Sequence, residues 1–208
     1  MVKKLLKIVF VLLFVCSAKA QQTNDSELRS SNPIIYFEGF GGPTIGQSVG
    51  ISGGLELNYQ TGKNLFTFRF TNAVGYSERS DNYIIMPRYY KSEDNKEYAF
   101  LYGKRWLSSN HSYSVSVGVS RNNLEMKKLI ESVDPEEFES EKVFSAKSIS
   151  YYGVPFEANY KWFYSKKKSR LIYNAIIPSV GVKLFGNFGK YTFIGAGVTV
   201  GFGLSKKY

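Results

Sequence analysis

The sequence predicts an all-β protein, an eight-stranded antiparallel up-and-down transmembrane β-barrel with a short helix in one outer loop. Three observations lead to this prediction. Apolar residues alternate with small or polar ones along most of the chain, short and long connectors alternate, and an export signal precedes the first strand. Aromatic residues make up 16% of the 208 residues, which is too many for a disordered chain, and the length suits one domain.

The first 20 residues have the pattern of a secretory signal peptide. A basic start with three lysines leads into the apolar stretch 8–15, and Ala18-Lys19-Ala20 forms a small-x-small cleavage site. The apolar stretch is too short to cross a bilayer as a helix. Residues 21–33 are rich in polar residues and are predicted to be a flexible segment. The barrel domain is therefore expected over residues 34–208.

Alternation with a period of two predicts the strands. It is clearest from Tyr113 to Ser120, where Tyr and three Val residues alternate with Ser and Gly. Residues 83–90 are a ninth candidate, but Pro87 favours a hairpin-like loop at that place. The eight predicted strands are 34–42, 49–60, 65–76, 97–106, 113–121, 148–163, 170–186 and 190–204.

The connectors predict which end of the barrel faces out. Those after the second, fourth and sixth strands are short, whereas 77–96 and 122–147 are long. Short periplasmic turns and longer outer loops are typical of outer-membrane barrels. Asp134-Pro135 places an N-cap residue before a proline suited to the first helical position, which predicts a short helix in the second long loop. That loop is rich in acids, which we interpret as solvated, with a calcium site as the alternative.

The less apolar face of the strands is expected to line the lumen. It consists mostly of small residues, which fit the narrow interior of an eight-stranded barrel. An unpaired charge there costs several kcal/mol, so the few charges on this face are predicted to pair with one another. An ion pathway is the functional alternative to this structural network. The predicted lumen residues are Glu38, Glu56, Arg69, Arg105, Glu157, Lys161 and Lys183.

The opposite face is expected to meet lipid. It carries Val, Leu, Ile, Phe and Tyr residues, and its aromatic residues cluster beside the short turns. Amphipathic aromatic rings favour the interface between membrane and water, so this cluster predicts a periplasmic girdle. Ordinary aromatic strand residues are the alternative interpretation. The predicted girdle residues are Tyr59, Phe66, Trp106, Tyr113 and Trp162.

Over residues 34–208 the chain resembles the small eight-stranded outer-membrane barrels of Gram-negative bacteria, the outer-membrane protein A type. The signal peptide, the alternating strands, the connector lengths and the Gly-rich last strand carry this resemblance. It implies an integral protein of the outer membrane whose last strand is read by the barrel-assembly machinery. Phe202, Leu204 and the terminal Tyr208 match that assembly signal, whereas Lys206 departs from the apolar residue expected there.

The expected function is a structural or interaction role in the cell envelope, with loops 77–96 and 122–147 as contact surfaces. The expected partners are outer-membrane lipid, lipopolysaccharide and the barrel-assembly machinery, and the barrel is expected to be a monomer. The net charge of +10 is typical of proteins that bind nucleic acid, but the export signal argues against that partner. A basic surface is expected to face anionic lipid or polysaccharide instead.

The sequence leaves three alternatives open: a soluble periplasmic lipocalin-like binding barrel, a small-solute (porin-like) pore and a barrel enzyme acting on lipid. The chain has one cysteine, Cys16 in the predicted signal peptide, and one histidine, His111. This leaves too few ligands for a Cys/His metal site. His111 is predicted in a short periplasmic turn, without the pocket that a catalytic histidine requires. We therefore expect no enzymatic activity, no cofactor and no metal.

Overall fold

The computed structural model describes residues 34–79, 88–108, 111–131, 142–163 and 176–204. These residues form eight strands. They are β1 (Ile34–Ile45), β2 (Val49–Thr61), β3 (Asn64–Arg79), β4 (Arg88–Ser108), β5 (His111–Glu131), β6 (Lys142–Phe163), β7 (Ile176–Gly189) and β8 (Phe193–Leu204). No helix within these ranges is both long enough and apolar enough to span a bilayer.

The strands close into a barrel in which every strand pairs antiparallel with its neighbours in the sequence. β1 completes the ring by pairing with both β2 and β8. Phe37, for example, lies opposite Leu57 on one side and Phe202 on the other. Closure satisfies the backbone N–H and C=O groups within the sheet and leaves no edge along the ring. The predicted all-β, eight-stranded up-and-down barrel is thus confirmed.

At the end where the sequence predicts the periplasm, two residues separate β2 from β3 and two separate β4 from β5, while the connection 164–175 between β6 and β7 lies outside the described residues. β2 and β3 are joined through Gly62, whose φ of 60° lies in the left-handed region that favours glycine. β4 and β5 pair up to Ser108 opposite His111, so His111 lies in the first position of β5. The prediction that His111 belongs to the turn is therefore wrong. Strand pairing across the hairpin continues two residue pairs further than the side-chain pattern indicates, through Leu107 opposite Ser112 and Ser108 opposite His111.

The predicted outer loops are largely strand. Residues 77–79 extend β3, and 88–96 belong to β4, so that part of the candidate hairpin 83–90 lies in the barrel sheet. Residues 122–131 and 142–147 likewise belong to β5 and β6. The boundaries 77–96 and 122–147 are therefore wrong. The rest of both segments, including the predicted helix at 134–137, lies outside the described residues, as do 170–175 of the predicted seventh strand.

The missed strand ends have a physical cause. Alternation predicts a strand only where its two faces meet unlike surroundings. At the outer end of β6, the four consecutive residues 145–148 are all exposed, so nothing selects apolar side chains for one face. Backbone pairing nevertheless continues there, with Lys127 opposite Ala146 and Glu131 opposite Lys142. β4, β5 and β6 reach 21 or 22 residues, against 12 or 13 for β1, β2 and β8.

Candidate functional site

The two faces of the sheet have opposite chemistry. On β5, Val115, Val117 and Val119 point outward and are 47%, 54% and 69% exposed. The serines that alternate with them, such as Ser114 and Ser116, are buried in the lumen. A soluble protein buries its apolar side chains, so this arrangement is the reverse of a soluble barrel. The outer surface is suited to acyl chains and the lumen to polar groups.

Among the residues that the structure describes, eight charged side chains are buried in the lumen, and none is more than 7% exposed. All seven residues predicted from the sequence are among them, and Glu97 is the eighth. Four acids face four bases, so their formal charges cancel. The set consists of Glu38, Glu56, Glu97, Glu157, Arg69, Arg105, Lys161 and Lys183.

Arg69 lies at the centre of this set. Its guanidinium contacts the carboxylate of Glu97 at 2.9 Å and that of Glu157 at 3.4 Å. It also donates hydrogen bonds to the backbone carbonyls of Phe156 at 3.2 Å and Gly186 at 3.1 Å. The planar guanidinium, with its five N–H donors, thereby ties β3 to β4, β6 and β7 across the lumen.

Two lysines complete the ion-pair network. Lys183 lies 2.9 Å from Glu157 and also pairs with Glu56, and Lys161 pairs with Glu38. Charge-assisted hydrogen bonds of this kind offset the cost of removing each ion from water. Removing one partner leaves the other charge buried without compensation.

Arg105 is held differently from the other three bases. Its guanidinium donates to the side-chain oxygens of Gln60 at 3.1 Å and Ser112 at 3.0 Å, and it lies 4.5 Å from the ring centre of Tyr36. These partners are neutral. The sequence places Arg105 on the lumen face, but it carries no signal that separates Arg105 from the ion pairs.

Glu97 is missing from the predicted lumen residues because it is the first residue of the predicted fourth strand. The signal that could have identified it is its position two and four residues before the buried Ala99 and Leu101, on the same face of the strand. Its second partner is the side-chain amide of Asn187, whose Nδ2 lies 2.7 Å from Glu97 Oε1. The same nitrogen lies 2.6 Å from the hydroxyl of Ser120. Neutral amides and hydroxyls therefore continue the polar network toward the outer end.

Glycines make room for the long lumen side chains. A Cβ atom at Gly201 would lie 2.5 Å from Cγ of Glu38, and one at Gly181 would lie 2.8 Å from Cγ of Lys161. Both distances are too short for unstrained packing. Beside the polar groups of the outer half lies an aromatic cluster, in which the ring centres of Phe40 and Phe185 are 4.8 Å apart and Phe193 is the third member. Ion pairs and rings together fill the lumen.

The predicted girdle residues lie on the outer surface near the short turns. The rings of Trp106 and Tyr113 stack at 5.1 Å, and those of Tyr59 and Phe66 lie 6.4 Å apart. The ring of His111 packs 6.3 Å from Trp162 at the same end. His111 thus belongs to the outward aromatic cluster and not to the lumen.

A second aromatic level lies at the other end of the apolar surface, where Tyr98, Arg121 and Tyr152 are neighbours on three strands. Eight residues separate Tyr113 from Arg121 along β5. At about 3.4 Å per residue and a tilt near 40°, this distance rises roughly 21 Å along the barrel axis, close to the apolar band of about 25 Å in transmembrane barrels. The outward valines of β5 occupy this interval.

The predicted assembly signal is described only in part. Phe202 points outward and is 56% exposed, in line with Val200 and Val198. The backbone of Leu204 ends β8, while its side chain and Tyr208 lie outside the described residues. The predicted signal peptide 1–20 and the segment 21–33 also lie outside them.

These features define the class: an eight-stranded barrel that is apolar outside and charged inside has the construction of a transmembrane β-barrel. The fold that the sequence resemblance implied is present, and the apolar cavity of a lipocalin-like binder is not formed by the described residues.

Comparisons with known proteins add solved structures but no sequence family. No protein-family model matches the chain, and no curated protein sequence matches it. The N-terminal β-barrel domain of Pseudomonas aeruginosa OprF is 12% identical, with a TM-score of 0.47, covering 82% of this chain and 97% of that domain. Neisserial surface protein A is 11% identical, with a TM-score of 0.45, covering 85% and 98% of the two chains. Ail, the attachment invasion locus protein of Yersinia pestis, solved with the heparin analogue sucrose octasulfate, is 9% identical, with a TM-score of 0.47, covering 84% and 100%.

Proposed function

We propose that this protein is an integral β-barrel of a Gram-negative outer membrane, with a plugged lumen and a structural or interaction role in the cell envelope. The observation that carries the proposal is the inverted burial, with valines exposed on the outside and paired charges enclosed. In lipid, exposing such an apolar surface costs no hydrophobic free energy, whereas in water the surface would associate with other apolar surfaces. The predicted signal peptide supports export to the envelope.

The strand ends that project beyond the apolar band are the proposed contact surfaces. The β5–β6 ribbon, which pairs residues 127–131 with 142–146, extends past the last pairing of β5 with β4 at Met126. It continues toward the segment 132–141. A filled lumen supports an interaction role over transport. The barrel would then hold the protein in the membrane while the β5–β6 ribbon contacts a partner outside it.

The proposed partners of the barrel are outer-membrane lipid, lipopolysaccharide and the barrel-assembly machinery, with no nucleic acid. We propose a monomer, because a closed ring offers no free edge along the apolar band for pairing with a second copy. The proposal includes no enzymatic activity. His111, the chain's one histidine, lies on the outward surface near the predicted periplasmic end, where its ring packs against the rings of Tyr160 and Trp162.

Cell fractionation tests the location. We expect the mature chain in the outer-membrane fraction. Detergent should extract it, whereas high salt or alkaline carbonate should not, because extraction without detergent would expose the apolar band to water. Recovery of the folded chain in the soluble periplasm would contradict the proposed location in the outer membrane. A signal-peptide-deleted chain is the control for export, and it should remain in the cytoplasm.

Conductance separates the plugged barrel from a small-solute pore. We expect the protein in a planar bilayer to give no steady single-channel current, because Arg69, its partner carboxylates and the Phe40–Phe185 pair occupy the lumen. A known open porin inserted under the same conditions serves as the positive control. Uniform, long-lived open channels from the pure protein would overturn the plugged lumen and favour the pore.

A further inference from the structure

Two outward-facing rows of residues mark the outer end of the apolar band on β3 to β6. Strand register defines both, because residues directly opposite one another in an antiparallel pair share a face. The interface row consists of Phe70, Tyr98, Arg121 and Tyr152, and the amide row next to it consists of Asn72, Lys96, Asn123 and Ser150.

The outer surface changes from apolar to polar at these rows. The row below contains Phe68, Phe100 and Val119, all more than half exposed. The interface row is aromatic, with the rings of Phe70 and Tyr98 5.1 Å apart and Tyr152 80% exposed. Tyrosine rings favour the boundary between hydrocarbon and headgroups. In a membrane, the two rows therefore lie at the height of the lipid headgroups.

Positive charge is unbalanced at this height. Above the amide row, Asp94 pairs with Lys91 at 2.5 Å and Glu125 pairs with Lys127 at 3.4 Å, so those charges cancel. Lys96 and Arg121 are exposed, and neither has an acidic partner among the residues that the structure describes. They lie diagonally across the β4–β5 pair, a spacing of about 7–8 Å that long side chains can bridge.

A neutral donor lies beside the two cations. Asn123 is directly opposite Lys96 and two residues from Arg121 on the same face. The hydroxyl of Ser150 donates a hydrogen bond of 2.7 Å to its amide oxygen. This contact occupies the acceptor end of the amide and leaves its NH₂ group to donate elsewhere. Strand register therefore places a guanidinium, an ammonium and an amide donor on one outward patch.

We propose that Lys96, Arg121 and Asn123 bind a phosphate of a phosphorylated glycolipid in the outer leaflet. This inference rests on the proposed membrane location. The phosphate supplies the missing negative charge at the boundary between apolar and polar surface, and a guanidinium can bind it through two parallel hydrogen bonds. The apolar row below packs against the acyl chains of the same lipid.

Native mass spectrometry of the full chain in neutral detergent tests the site, with bisphosphorylated lipid A as the probe. We expect the K96Q/R121Q variant to bind the probe about tenfold more weakly than the unmodified chain, because two charge-assisted contacts are lost. The matched control K63Q/K104Q also removes two positive charges, but at the opposite end of the apolar band, next to the β2–β3 turn. We expect its affinity to stay within about twofold of the unmodified chain, since neither lysine lies near the interface row or the amide row.

The controls separate the possible sources of binding. Dephosphorylated lipid A should bind as weakly to the unmodified chain as the probe binds to K96Q/R121Q. Equal binding of the phosphorylated and dephosphorylated lipids, equal loss in both double variants, or equally tight phosphatidylglycerol would each overturn the site. K96Q/R121Q should still fractionate with the outer membrane. A chain found in the soluble periplasm contradicts the membrane location itself and not only the phosphate site.

Discussion

Replacing Val117 with arginine is expected to lower the free energy of unfolding of the barrel by about 2–4 kcal/mol. Val117 points outward, is 54% exposed and lies midway between Tyr113 and Arg121, at the middle of the apolar band. A guanidinium placed there must either enter hydrocarbon or distort the bilayer to reach water. Urea unfolding in lipid vesicles, followed by the fluorescence of Trp106 and Trp162, measures the change.

The matched control is Ser148→Arg, on the same outward surface but beyond the apolar band. Ser148 is exposed on the outer end of β6, where both faces meet water. We expect its free energy of unfolding to stay close to that of the unmodified barrel. Equal destabilisation by the two arginines would contradict the placement of the bilayer, because the predicted cost depends on depth and not on the residue type.

Replacing Arg69 with methionine is expected to destabilise the barrel by about 3–5 kcal/mol, because breaking a buried ion pair from one side leaves charge uncompensated. Arg69 is fully buried and contacts both Glu97 and Glu157. Glu157 retains Lys183, so Glu97 loses its cation while keeping only the amide of Asn187. The same urea titration in vesicles reports the loss.

Two further variants isolate the cause. Adding Glu97→Gln to Arg69→Met removes the orphaned charge, so the double variant should recover part of the lost stability. Lys127→Met breaks a comparable pair with Glu125 on the exposed surface, where both side chains are more than 40% exposed. We expect it to cost less than about 1 kcal/mol. A single Arg69→Met variant as stable as Lys127→Met would show that the lumen is wet and that its charges are screened.

The sequence predicts the eight-stranded barrel but not where its strands end. All eight strands were predictable because a lipid surface and a narrow lumen impose unlike side chains on alternate positions. On β5, for example, alternation places the valines at 115, 117 and 119 on one face and the serines at 114 and 116 on the other. Beyond the bilayer this constraint ends, so β4, β5 and β6 continue without a side-chain pattern.

The sequence predicts which charged residues point into the lumen, but it does not predict which of them form ion pairs with one another. Parity along a strand places Arg69 and Lys183 inward, but pairing depends on register and on the stagger around the ring. Arg69 on β3 reaches Glu157 on β6, 88 residues away. Arg105 has neutral partners and Glu97 lies at a misplaced strand end, so neither role follows from composition or periodicity.

Fluorophore labelling in lipid vesicles tests the central claim, that the apolar side of the sheet meets acyl chains. The chain's one cysteine, Cys16, lies in the predicted signal peptide, so Val117→Cys and Ser116→Cys each give the mature barrel a single labelling site. We predict that an environment-sensitive probe attached at position 117 emits to the blue and is quenched by lipids brominated along their acyl chains. The neighbouring thiol at position 116, buried among lumen side chains, should resist labelling and escape quenching. Ready labelling and strong lipid quenching at position 116, with a water-exposed probe at position 117, would contradict the account.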